Sequence, residues 1–297
     1  MTANAPPPSE TGPTGHAGGP TAVDRDGVCR IERLRVYPLK GGAGAEVETM
    51  TFDEVGPEND RRWMVVRPDG TFITQRQEPR LALIRALPET GGLSLSAPGT
   101  GDLSVETPSG ANLRVQVWAS SVDAAGAGRA ADAWLTDLLG YEARLAHLPM
   151  TSVRNTNPEF APGARVSFAD GYPALLVTGS SVDELSRRAG RRMEIERFRP
   201  NLVVGPARPH AEDRWRQITV GAMAFRGVKP CARCTVTTVD QATGARHPDG
   251  EPLRTLARYR NIEGKVFFGL NVVHAGPGTI RLYDPVQVVE RGSVPVG

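Results

Sequence analysis

From Cys29 onward the chain is a succession of short apolar and β-branched runs, each cut off by Gly, Pro, Ser or Asn. Thirty-three glycines and 25 prolines supply the punctuation. Gly releases the backbone into positive φ, and Pro removes a ladder donor, so long uninterrupted elements are excluded over most of the chain. CRIERLRVYPLKGG reads as a strand that stops at Pro38 and enters a glycine-rich turn. RRWMVV and TFIT flank Pro68-Asp69-Gly70, which predicts a hairpin. Further strands are expected at 81–86, 93–96, 103–106 and 113–117. Many short strands at close spacing predict a small barrel or sandwich.

The period then changes. Over 129–139, Ala130, Ala133, Trp134, Leu138 and Leu139 fall near one helical face, and Gly140 is a C-terminal stop. The pattern turns irregular between 145 and 153, where a domain boundary is expected. A second β-rich set follows at 165–170, 174–178, 198–204, 218–225, 234–239, 266–273 and 279–289. Pro200 should force an edge or a bulge in its strand. Ser181 and Glu184 read as a capping box for a short helix closed by Gly190, and 253–259 as another helix. A chain of 297 residues exceeds the usual size of one core. The expected fold is therefore a β-rich α+β protein of two domains, 27–148 and 149–297. Residues 1–26, rich in Pro, Gly, Thr and Ala, are expected to be a disordered tail.

A net charge of +2 is too small to make nucleic acid or an anionic membrane the main partner. No segment has the length of a membrane span, and the N-terminus lacks the pattern of a secretory signal. Three cysteines do not make a disulfide framework, which points to a reducing cytoplasm.

Two of those cysteines stand in KPCARCTVTTV. Cys231 and Cys234 have zinc-ligand spacing, but there is no second pair, and His247 and His274 are too far apart to form the other arm. A redox dithiol would open a helix, whereas this pair runs into a β-branched stretch. The pair could also be two small buried thiols, or one thiolate holding a soft metal beside Arg233. A second constellation is spread along the chain: Lys40 with Gly41, Asp60 with Arg61, Arg199 with Asn201. These could be solvated surface charges, or they could line an anionic pocket, since Arg makes bidentate contacts with phosphate. No P-loop, dinucleotide fingerprint, HExxH or GxSxG is present.

Read in order, RVYPLKGG, NDRRWMVV, TQRQEPRLALI, FADGYPALLV, RFRPNLVV, CARCTVTTVDQATG with EPLRTLARYR, and FFGLNVV resemble one family. It is that of the MOSC proteins with an N-terminal MOSC β-barrel domain, which includes the mitochondrial amidoxime-reducing component and its bacterial relatives. The resemblance runs from about 28 to 290. It implies that 27–148 is the MOSC N-terminal β-barrel domain and 149–297 the MOSC domain. It further implies a molybdenum cofactor, a pyranopterin whose metal takes one protein cysteine. That cysteine matches Cys234, and Cys231 matches a position that is not a ligand.

Pterin and phosphate contacts carry over to Lys40, Arg61, Arg199 and Asn201, with others at Gly41, Asp170, Gly171, Tyr172, Ala232, Arg233 and Asn271. Gly41 stands where many relatives have Ser, Gly171-Tyr172 replaces Thr-Ser, Ala232 replaces Ser, and Asn271 replaces Tyr. The implied activity is reduction of N-oxygenated compounds. Because no cysteine follows Cys234, no iron–sulfur cluster is expected in this chain, and electrons are expected from a separate ferredoxin- or flavoprotein-type donor. The rival implication is a carrier, with Cys234 as a persulfide or cofactor-transfer site and no organic substrate.

Overall fold

The computed structural model describes Met1 and residues 29–293. The expected tail over 1–26 lies, Met1 apart, outside the described residues. The β-rich class holds: twenty strands and three α-helices are described.

Seven strands close a barrel. Around it run Ala174–Thr178, Leu202–Gly205, Cys29–Val36, Pro285–Arg291, Trp215–Val220, Met223–Ala232 and Lys265–His274, which pairs back to Ala174–Thr178. Only the Ala174–Thr178 and Leu202–Gly205 pair is parallel. Side chains alternate between the faces of a strand. Ala174, Leu176, Leu202 and Val204 therefore fill the barrel with Ile31, Trp215, Leu270 and Val272. Leu175, Val177 and Val203 point outward against Val182 and Leu185 of helix α2 (Gly179–Ala189). Both faces are covered, which explains why ALLVT is apolar without alternation.

The first strand, Cys29–Val36, sits in this C-terminal barrel although it precedes the whole N-terminal unit. After Tyr37-Pro38 the chain enters a five-stranded sheet ordered Leu113–Val117, Ser120–Gly126, Arg144–His147, Trp63–Val66, Leu39–Lys40. Trp63 and Val65 face one core with helix α1 (Arg129–Leu139), while Met64 and Val66 face another with Phe72 and Phe168. Tyr37 thus lies where the chain passes from one unit to the other.

Several local expectations change, each for a physical reason. In α1 the buried face is Ala131, Leu135 and Leu139; Ala130 and Ala133 are exposed, and Trp134 and Leu138 pack at its flank. Helix α2 starts at Gly179, so Ser181 lies inside it and hydrogen bonds Glu212, while Glu184 pairs with Arg187 and Arg188. The run 165–170 is no strand: the Arg154 guanidinium donates to the carbonyls of Ser167, Ala169 and Asp170. The strand expected at 198–204 begins only at Leu202, because Arg199 adopts φ +54°. The one expected at 234–239 is a 3-10 turn, Thr235–Thr238. There Thr237 and Thr238 hydroxyls donate to the carbonyls of Cys234 and Thr235, the side-chain competition that withdraws Thr from a ladder. The 81–86 run divides into a 3-10 turn, Pro79–Leu83, and a strand, Arg85–Glu89.

Candidate functional site

A cleft of about 340 Å3 is formed by residues of both units. Lys40, Gly41, Arg61, Asp170, Gly171, Tyr172, Arg199, Asn201, Ala232, Arg233, Cys234 and Asn271 all line it. Of the pocket candidates singled out in the sequence, Asp60 alone does not line the cleft; it is buried behind Arg61. Seven Lys or Arg side chains line the cleft against a single carboxylate, Asp170. Such a field selects an anion.

The floor is built around Tyr37, which is 1% exposed. The guanidiniums of Arg61 and Arg199 each lie 4.3 Å from its ring centroid. Its hydroxyl donates to Pro200 O at 3.0 Å, and burial pushes its pKa up against the pull of Arg199, Arg35 and Arg61. Gly44 makes room for this ring: a Cβ there would stand 2.4 Å from Tyr37 Cε1. Arg61 is compensated. Its Nη1 donates to Asp60 at 2.6 and 2.8 Å and to Asn201 Oδ1 at 3.0 Å, and its Nη2 to Arg199 O at 3.1 Å. Asn201 Nδ2 in turn donates to Asp60 Oδ1 at 2.9 Å and Arg35 O at 3.1 Å, which fixes the Asp60 carboxylate.

Arg199 has no such partner. Nη1 donates to Gly42 O at 2.5 Å, while Nη2 is buried with no partner. Burial, then the neighbouring Arg61 charge, lowers its pKa to about 10. A buried guanidinium nitrogen without an acceptor is costly unless something else supplies one. Arg197, also in the cleft, keeps Nη1 unpartnered although Glu194 and Asp240 take its other nitrogens.

Lys40 stands beside this floor, 7% exposed. Its Nζ donates to Phe168 O at 2.7 Å and Asp170 Oδ1 at 2.5 Å. Burial lowers the Lys40 pKa, and Asp170 opposes the shift. The Asp170 side chain is 76% exposed by area, opening on the cleft. Enclosure acts to raise its pKa, but Lys40 and then Arg61 outweigh that and hold it well below the usual carboxylate range. Gly41 turns the chain at φ +84°, and its carbonyl accepts from Gln75 Nε2 at 2.7 Å. Three non-glycine residues with positive φ, Arg61, Arg199 and Trp118, all line the cleft. Such backbone persists only where its surroundings over-determine it.

The two cysteines differ. Cys231 packs at the edge of the core under α2, and burial pushes its thiol pKa up, with Arg233 opposing. Cys234 is exposed and extended at the start of the 3-10 turn, where its carbonyl accepts from Thr237. Arg233 does not reach toward either thiol by hydrogen bond. Its fork donates to Phe268 O and Phe198 O, each at 3.0 Å, tying the two sides of the cleft wall together. Asn271 Nδ2 donates to Lys229 O at 3.1 Å. Among the described residues, no three His, Cys, Asp or Glu side chains gather as a metal cage.

Tyr37, Gln75, Arg76, Trp118, Arg154 and Lys229 were not legible as site residues, and Arg197 was legible only as part of the basic cluster Arg197-Phe198-Arg199. Gln75 and Arg76 lie in the TQRQEP run, and Arg197 opens RFRPN. Trp118 sits in a hairpin turn with no signal around it.

Residues 28–142 match the family described as the MOSC N-terminal beta barrel domain, and residues 163–287 match the MOSC domain. Mitochondrial amidoxime-reducing component 1 of Mus musculus is 33% identical over 279 residues, which cover 87% of this chain and 82% of that protein. Mitochondrial amidoxime reducing component 2 of Homo sapiens is 30% identical over 276 residues, covering 86% and 82%. Molybdenum cofactor sulfurase of Arabidopsis thaliana is 27% identical over 263 residues, covering 80% of this chain but 32% of the sulfurase.

Proposed function

Because this chain belongs to the family that joins a MOSC N-terminal β-barrel domain to a MOSC domain, as the amidoxime-reducing components do, we propose that it is a molybdenum-cofactor-dependent oxidoreductase. Its substrates are N-hydroxylated and other N-oxygenated compounds, from which it removes oxygen. Its electrons come from a separate donor protein of ferredoxin or flavoprotein type.

One observation carries the reading: a cleft with a buried, acceptor-less Arg199 nitrogen on its floor also presents one exposed thiol, Cys234. A phosphate-bearing ligand with a thiophilic metal asks for that pair of features. The residues present therefore fit the group. Arg199, Arg61 and Lys40 would hold its phosphate, and Cys234 would be the one protein ligand to its metal. When bound, the cofactor supplies the two-electron chemistry of oxygen-atom removal.

The chain's own part is placement. Asp60 and Asn201 hold Arg61 in a fixed fork, so little reorganisation accompanies anion binding. Arg154 and Lys40 fix the loop carrying Asp170, Gly171 and Tyr172 through its carbonyls. Gly171 leaves that wall open, since a Cβ there would meet no atom within 4 Å.

The carrier reading rests on the sulfurase relative and on the exposure of Cys234. Metal and pterin analysis of protein made in a molybdenum-replete host tests what both readings share. Near-stoichiometric molybdenum that is lost in Cys234→Ser is the expected result. Well-folded protein without molybdenum or pterin sinks the cofactor reading. Turnover of benzamidoxime with a chemical electron donor then separates the two; loaded but inert protein favours the carrier.

A further inference from the structure

Trp118 is 41% exposed, in the turn between Leu113–Val117 and Ser120–Gly126 of the N-terminal unit, and it lines the cleft. Its backbone stands at φ +54°, a conformation an indole-bearing residue seldom adopts. Four contacts keep it there. Gln116 Nε2 donates to its carbonyl at 2.6 Å, and its own Nε1 donates to Asp170 Oδ1 at 3.3 Å. Phe72 meets its ring edge-on at 4.8 Å between centroids. The Arg76 guanidinium lies over the ring at 4.5 Å. A large aromatic held by several groups and still two-fifths accessible has lost its freedom without losing its surface. Such a ring offers stacking to a flat ligand at little entropic cost.

The C-terminal unit lines the cleft as well, with Tyr172 and with Lys229, whose ammonium lies 4.3 Å from the Phe160 centroid. Aromatic and cationic side chains therefore reach the cleft from both units.

We propose that Trp118, backed by Arg76, is the specificity-determining wall of this cleft and selects flat, conjugated N-oxygenated substrates over saturated ones of equal size. The inference rests on the function proposed above. Benzamidoxime and cyclohexanecarboxamidoxime carry the same reactive group on a planar and a puckered ring. Benzamidine has the planar ring and no N–O bond to reduce.

The test is titration calorimetry of cofactor-loaded protein with all three compounds and no electron donor, on wild type, Trp118→Leu and Trp118→Phe, with molybdenum content measured for each. Wild type should bind benzamidoxime more tightly than the cyclohexane compound, while benzamidine, an amidinium cation in a cationic cleft, should bind more weakly than benzamidoxime. Trp118→Leu keeps apolar bulk but no π-face and should lose about 3- to 10-fold of that preference, the usual worth of one aromatic pair; Trp118→Phe should keep most of it. An unchanged preference in Trp118→Leu, or no preference or no binding in wild type, overturns the inference. Failure of the reductase reading looks different: the planar preference is measured, yet neither amidoxime is reduced when electrons are supplied.

Discussion

Two buried polar clusters meet the strand Ala174–Thr178 near its two ends, Asn201 at Leu175 and Glu212 at Thr178, and they are finished differently. At one end Asp60, Asn201, Arg61 and Arg199 gather around Tyr37. At the other, the Glu212 carboxylate, 0% exposed, accepts from Thr178 Oγ1 at 2.8 Å, Thr178 N at 3.2 Å and Ser181 Oγ at 3.0 Å. The Glu212 cluster closes upon its carboxylate. The Tyr37 cluster ends in a cation with a nitrogen left over and opens on the cleft. A polar group whose partners are all internal is a structural tie. One that lacks a partner while facing a cavity is a receptor.

The comparison breaks first at its strongest tie. Asp60 is 1% exposed and holds Arg61, Asn201 and the Tyr37 amide together. Asp60→Ala leaves a buried guanidinium uncompensated and should cost about 3–5 kcal/mol in urea unfolding. Glu212→Ala removes a carboxylate but leaves only neutral donors stranded, at about 1–3 kcal/mol by the same measurement.

The closed cluster also has a pH signature. Burial, then Asp213, raises the Glu212 pKa from 4.5 to about 7. The folded state therefore binds the proton more tightly than the unfolded chain. This contribution to stability is complete below about 4.5 and is lost as pH rises through about 7. His147 and His210 run the other way. Burial lowers each from 6.5 to about 4, so their contribution is complete above 6.5 and is lost as pH falls through 4. Urea midpoints measured across this range should show the two trends offsetting in wild type. In Glu212→Gln the rise of stability with pH should stand alone; an unaltered profile would remove Glu212 from the account.

The smallest effect on stability should come from the open cluster's free cation. Arg199→Met removes a buried charge with no carboxylate partner, and the unfolding free energy should change by less than about 1.5 kcal/mol in either direction. What should vanish is the stabilisation of wild type by added inorganic phosphate in a thermal melt, which Glu212→Gln should retain. A phosphate response that survives Arg199→Met would make the cleft floor another structural tie.

Much of the set of strands and helices was legible because its signals are local. Ala174–Thr178 and Arg129–Leu139 have the bounds the apolar period and Gly140 indicate. Two of the failures share a cause. At 165–170 and 234–239 the composition is strand-like, but a guanidinium from Arg154 or a neighbouring Thr hydroxyl takes the carbonyls a ladder would use. Which acceptor wins is decided by groups that meet only after folding. The site divides in the same way. Lys40, Arg61, Arg199, Asn201 and Cys234 were legible through motifs whose order resembles a family. Trp118 and Tyr37 were not, because a tryptophan in a turn and a tyrosine at a strand end are unremarkable until their neighbours are known.

By itself the sequence determined that the chain is built of short strands around a β-rich core, and it named basic residues and a cysteine pair that line one cleft. Period and punctuation act over a few residues, so they survive as a linear pattern. Only the tertiary structure decided that the first strand completes the C-terminal barrel, which sets Tyr37 at the crossing between the two units. It also gave the two cysteines, both on the cleft, different exposure, Cys231 packed against the core and Cys234 open, because burial depends on what packs across from a residue and not on what lies beside it in the chain.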